Sequence, residues 1–170
     1  MSGVVEVPTE ERNPRTTEID QLPTLQVLQL LNAEDALVAD AVAEVLPQLV
    51  RAVDIVVDRL RAGGRLHYFG AGTSGRLAAL DAAELAPTFS VAGDLVVAHH
   101  AGGAVALTAA MENVEDDEAA GAAEADELGG RDVAVGIAAS GRTPFVRGAL
   151  VPPPQIGGAR SGGGVVGNGA

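Results

Sequence analysis

Twice in this chain a short apolar run leads straight into a turn of glycines and hydroxyl residues. Leu66-His67-Tyr68-Phe69 enters Gly70-Ala71-Gly72-Thr73-Ser74-Gly75-Arg76, and a helix-forming run from Leu77 to Glu84 follows. Further on, Asp132-Val133-Ala134-Val135-Gly136-Ile137-Ala138 enters Ala139-Ser140-Gly141-Arg142-Thr143. A strand that turns at once into a helix is the repeating unit of a parallel sheet, so the pattern restricts the fold to the α/β class. The turns also carry chemistry. Glycines let backbone N–H groups approach an anion, Thr73 and Ser74 add hydroxyl donors, and the following helix points its positive end at the same place. Two such units make a phosphosugar site the leading expectation.

The rest of the pattern fits an open parallel sheet. Strands are expected at residues 65–69, 95–100 and 132–138, with helices at 74–84, 103–113 and 116–128 and another starting near Thr143. Ahead of them, Val38, Val42, Val45, Leu49, Val53, Val56 and Leu60 recur at helical spacing within 24–61. Pro47 is expected to kink or split that helix, and Gly63-Gly64 to end it. Residues 1–23, with Pro8, Pro14 and Pro23, read as a flexible or docking arm. The organisation is therefore an N-terminal arm and helices over 1–62, an α/β domain over 63–150, and a Gly/Pro-rich tail over 151–170 whose composition predicts disorder.

Net charge narrows the partners. The chain has 170 residues, a formal net charge of -12 and no cysteine. An acidic surface disfavours nucleic acid and anionic membranes, yet a few local N–H groups and arginines still suffice for one phosphate. Without cysteine there is neither a disulfide framework nor a thiolate metal site, as suits a reducing cytoplasm. The N-terminus lacks the apolar core of a signal peptide, and no stretch has the ~18 apolar residues of a membrane span.

Each candidate site residue has a plainer reading beside it. Thr73, Ser74, Ser140 and Thr143 are phosphate or sugar-hydroxyl ligands, or else helix caps. Gly72 and Gly141 would let the backbone approach a ligand closely. Arg76 and Arg142 each follow a Ser-Gly pair and could pair with phosphate, or be surface charges. Glu84 lies about 15 Å along a continuous helix from Ser74, so a role there needs an early helix end or a neighbouring chain. Glu112 and Glu115 head an acidic run that reads as a solvated helix start. His67, His99 and His100 lack metal-ligand spacing, so no metal is expected. Gly70, Gly72 and Gly75 match the G-x-G-x-x-G dinucleotide spacing. That reading is discounted because Thr73-Ser74 polarises the loop and no acidic residue near Val97 is placed to take a ribose.

In order along the chain, five stretches resemble the N-acetylmuramic acid 6-phosphate etherases of the sugar isomerase (SIS) fold. They are Thr9-Glu10-Glu11-Arg12-Asn13-Pro14 with Ile19-Asp20; Asn32-Ala33-Glu34-Asp35; Gly63-Gly64-Arg65-Leu66 through Leu77; Leu80-Asp81-Ala82-Ala83-Glu84 with Pro87-Thr88-Phe89; and Gly136 through Pro144. Ala101-Gly102-Gly103 and Glu112-Asn113-Val114-Glu115-Asp116 fit between them.

The resemblance implies a cofactor-free lyase, typically a homodimer, acting on a phosphorylated amino sugar. By position in the motifs, Glu84 looks like the proton donor and Glu115 like the second catalytic carboxylate. The alternative is a non-catalytic phosphosugar-binding module, like the related glucokinase regulatory proteins, or an inactive truncated product. Two departures stand out. The family's Ser-Glu-Cys-Pro-Pro becomes Ala83-Glu84-Leu85-Ala86-Pro87. After Leu150, Val151-Pro152-Pro153-Pro154 replaces a helix, which reads as a truncated or frameshifted end with the C-terminal part of the fold missing.

Overall fold

A computed structural model of the chain describes Thr9 and residues 11–151 and 164–166. It divides into two compact units, residues 1–52 and 53–170, and the division falls inside the first helix rather than after it.

In the first unit the arm is tied down. Short 3-10 turns at Pro14–Thr16 and Ile19–Gln21 stand where composition suggested a flexible arm, and the part of that expectation on residues 1–8 and 10 lies outside the described residues. Asn13 caps the first turn by accepting from the Arg15 N–H, and donates its Nδ2 to Glu34 Oε2 at 2.8 Å. Arg15 adds a two-pronged pair to the same carboxylate, at 2.6 Å through Nε and 2.6 Å through Nη2. The polar residues that suggested mobility are those that do the fastening. Glu34 lies on α1 (Thr24–Arg61), which runs unbroken through Pro47, contrary to the expected split. Proline removes one N–H donor, while the other hydrogen bonds of a long helix remain. Leu25, Leu28, Leu31, Val38, Val42 and Leu49 leave much of its apolar stripe exposed.

The second unit includes the last turns of α1 and its end. Gly63 takes φ +78°, its N–H bonds the Leu60 carbonyl at 3.0 Å, and the Gly64 N–H reaches back to Arg59 at 3.0 Å. These two bonds form the glycine-terminated stop anticipated from Gly63-Gly64. The chain then lays down β1 (Leu66–Gly70), α2 (Gly72–Phe89), β2 (Val96–His100), α3 (Gly103–Thr108), α4 (Glu118–Ala125), β3 (Val133–Ile137), α5 (Pro144–Leu150) and β4 (Gly164–Val166). All pairings are parallel and the strand order is β2-β1-β3-β4. Alternation along the strands gives two packed faces. Phe69, Ala134, Phe145, Val146 and Ala149 form one core with Ala120 and Leu128. Leu66, Val96 and Val133 form the other, against Val56, Leu60, Ala82 and Leu85. This is the SIS-type α/β sheet flanked by helices and preceded by a helical segment.

Several expected boundaries move. α2 continues past Glu84 and through Pro87 until Ser90 enters the left-handed region and caps Ala86. α3 stops at Thr108, well short of Asn113, because Ala109 turns extended. α4 starts at Glu118, where the Asp117 carboxylate accepts from the Ala120 N–H at 2.8 Å. The disorder expected of the tail fails for Gly164–Val166, whose register pairs Val133 with Gly164 and Val135 with Val166. Average composition hid two adjacent β-branched residues suited to an open sheet edge. The remainder of that expectation, on 152–163 and 167–170, lies outside the described residues.

Candidate functional site

Gly70 ends β1 with His100 of β2 on one side and Ile137 of β3 on the other, all in register. From this central pair the chain leaves in opposite directions, β1 toward β2 and β3 toward β4. In open α/β sheets such a reversal makes a crevice outside the carboxyl ends of the strands, where ligands bind. Both hydroxyl turns start there, Ala71–Arg76 after β1 and Ala138–Thr143 after β3.

The first turn is set by close backbone packing. A Cβ on Gly75 would stand 2.5 Å from His100 Cδ2 and 2.7 Å from the Gly70 carbonyl oxygen, so only hydrogen fits. The Gly75 N–H bonds the Ala71 carbonyl at 3.2 Å. Ala71 is the residue before the helix, extended at φ -122° and ψ 155°, and it supplies no side-chain cap. Thr73 and Ser74 therefore sit inside the first turn of α2 and do not cap it, which removes the plainer reading of these hydroxyls. The first-turn N–H groups of a helix have no partner within it and carry partial positive charge. Thr73 is exposed and Ser74 half-buried.

The second turn is looser. The Arg142 N–H donates to Ser140 Oγ at 3.3 Å around Gly141 at φ +69°. Thr143 precedes α5, and its hydroxyl makes no cap bond either. The Arg142 side chain is exposed.

Arg76 has a task besides the one expected. Its Nε donates to the Leu107 carbonyl at 3.0 Å, and its Nη2 to Ala106 at 2.8 Å and Ala109 at 3.2 Å. It thus satisfies the open carbonyls at the end of α3, a helix-capping role beside the phosphate pairing expected from the motif. Sequence spacing could not reveal this, because the acceptors are backbone atoms some thirty positions away. His100 was passed over for a similar reason. It is buried, with Nδ1 at 2.7 Å from the Ala101 carbonyl and Nε2 at 3.1 Å from the Gly72 carbonyl. A neutral ring can donate to only one of these.

The two carboxylates lie outside the turns themselves, Glu84 further along α2 and Glu115 in a 3-10 turn that packs against α5. Glu84 is exposed on α2, which continues beyond it, so an early helix end is excluded. Glu115 is exposed in a 3-10 turn at Val114–Asp116 entered through Asn113 at φ +62°. One turn before Glu84, Asp81 accepts a hydrogen bond from Tyr68, and burial together with that carboxylate pushes the phenol up to about 12.

The sheet and its glycine turn define the class: the chain belongs to the SIS-domain family, and residues 48–152 match the glucokinase regulatory protein N-terminal SIS domain. More particularly, its curated relatives are N-acetylmuramic acid 6-phosphate etherases. The protein of that name from Thermobifida fusca is 61% identical over 147 residues, spanning 86% of this chain and 48% of its own length. Those from Brucella anthropi and Aeromonas hydrophila are 53% and 51% identical over 151 residues, each spanning 88% of this chain. The chain spans about half the length of these relatives. Among the described residues no helix is long and apolar enough to cross a membrane.

Proposed function

We propose that this chain binds a phosphorylated amino sugar in the crevice between β1 and β3 and contributes to cleavage of the lactyl ether of N-acetylmuramic acid 6-phosphate. The observation that carries the reading is the placement of both hydroxyl turns on neighbouring parallel strands. The names of the relatives direct it to this sugar. Gly72, Thr73 and Ser74 would hold the phosphate at the start of α2, and Ser140, Gly141, Arg142 and Thr143 the sugar or a second phosphate edge. Arg76 would act from behind, by holding α3.

The chemistry is an elimination followed by hydration. The open-chain aldehyde acidifies the C2 proton, and one carboxylate removes it. The other protonates the ether oxygen as the C3–O bond breaks and D-lactate leaves. Water then adds across the double bond to give N-acetylglucosamine 6-phosphate. Glu84 as proton donor and Glu115 as the second carboxylate meet the need for a general acid and base. The exposed stripe of α1 supports a homodimer, which would let one chain complete the other's site. The setting would be cytoplasmic recycling of cell-wall amino sugars.

Incubation of the full chain with N-acetylmuramic acid 6-phosphate tests this through D-lactate release, lost in Glu84→Gln and in Glu115→Gln. The match to a regulatory protein's SIS domain favours a second reading, a binding module without catalysis. Saturable sugar-phosphate binding with no lactate would decide for it.

A further inference from the structure

One line of buried polar groups has no part in the crevice. His67 on β1 and His99 on β2 lie on the same side of the sheet as Phe69, since Phe69 and His99 pair in register. The His99 ring stacks on Phe69 with centroids 4.4 Å apart and on His67 at 5.2 Å. Both imidazoles are almost wholly enclosed, at 1% and 5% exposure. His67 Nδ1 faces His99 Nε2 at 2.9 Å, and His99 Nδ1 faces Glu124 Oε2 at 2.7 Å. At the other end His67 Nε2 points to Asp132 Oδ2 at 3.4 Å and is the buried nitrogen without a hydrogen bond.

The protons can be counted. The line Glu124–His99–His67–Asp132 contains three contacts, each needing one N–H. Two neutral imidazoles bring only two. Glu124 fixes one proton on His99 Nδ1, so His99 Nε2 must accept from the His67 Nδ1–H. His67 Nε2 is then left as a lone pair facing a carboxylate. One added proton completes the line. A second has no place, because it would set two N–H groups against each other across the 2.9 Å contact.

We propose that His67 and His99 together form a buried proton-binding site that takes up a single proton, shared along the line between Glu124 and Asp132. Bound at His67 Nε2, the proton makes the missing bond to Asp132. Transfer of the neighbouring proton from His67 Nδ1 to His99 Nε2 moves the positive charge to His99, with no other atom displaced. The charged groups facing the pair are Glu124 from α4, Asp132 from the turn before β3, and Arg65 from the entry to β1. Glu124 is the way in. Its side chain is 40% exposed and lines a cleft of about 210 Å³ beside β2 with His100 and Gly103. The four groups lie in a line, and among the described residues no three such side chains converge as metal ligands.

Long-range 1H–15N correlation of the imidazole nitrogens in the 15N-labelled full chain tests this between about pH 8 and pH 5. The chain has three histidines, so His100 provides an internal reference. The His67 and His99 signals should move together with one midpoint and a combined uptake of one proton. Glu124→Gln, at the exposed end, should move that midpoint about one unit lower. Separate midpoints with a full proton on each ring, no uptake while the fold persists, or a midpoint unmoved in Glu124→Gln would each overturn the proposal.

Discussion

Arg76 on α2 donates through Nε to the carbonyl of Leu107, 3.0 Å away in the last turn of α3. With the bonds from Nη2 to Ala106 and Ala109, the guanidinium ends a helix it does not belong to. Arg76→Ala should therefore cost about 2 kcal/mol, as expected for charge-assisted bonds to partly buried carbonyls. Arg76→Lys should recover only part of it, because an ammonium cannot span three acceptors in one plane. Urea unfolding of the three proteins measures both.

Gly75 admits no side chain between His100 and the Gly70 carbonyl. Gly75→Ala must push either β1 or the His100 ring aside, at about 2 kcal/mol of overpacking. Sugar-phosphate binding should fall in step, since the same displacement moves the Thr73 and Ser74 N–H groups. Calorimetric titration with glucosamine 6-phosphate beside a thermal melt would show whether the two losses occur together.

Acid should weaken the fold in two stages. Burial first, and the neighbouring His99 second, hold the His67 imidazole below its ordinary value. The unfolded chain then binds this proton at higher pH than the folded one. Stability is accordingly full above the ordinary histidine value and declines as pH falls through it toward the folded value. For Asp132 burial pushes upward, but the N–H groups of Gly129 and Arg65 and the Arg65 guanidinium outweigh it, and its carboxyl lies below the usual range. Its contribution is lost at lower pH, as the medium passes through the unfolded carboxyl value and on to the folded one. The midpoint of urea unfolding against pH should show both declines, with His67→Phe abolishing the first.

Glu34 gathers the arm through Asn13 and Arg15. Because the pair is exposed, Glu34→Ala should leave the global unfolding midpoint almost unmoved. Amide hydrogens over 14–22 should nevertheless exchange much faster, which hydrogen-exchange mass spectrometry would detect. Equal exchange in both proteins would mean that the arm is held by other contacts.

Strand–turn–helix units were legible because each is local. β1, β2 and β3 lie within a residue or so of the segments read from apolar runs, and the Gly63-Gly64 stop forms as expected. What sequence reasoning missed came from partners distant along the chain. Arg76 and His100 act on backbone carbonyls, which have no residue signature. The arm looked loose because the partner of Asn13 stands twenty-one positions away. Val165 and Val166 form a strand only because β3 offers its open edge. The hydroxyl turns were found, yet their adjacency needed the crossing of β3 to the side of β1 opposite β2. Glu84 and Glu115 were reached through motif position alone.

That crossing also bears on the order in which the molecule is assembled. β1 can pair with β3 only after the chain through β2, α3 and α4 has been made and gathered, so the contact is costly in loop entropy. The crevice is thus a late product of folding, absent from any collapsed form that has only its first βα unit. A ligand bridging both turns would bind the finished protein alone, and would slow its unfolding more than it hastened its folding.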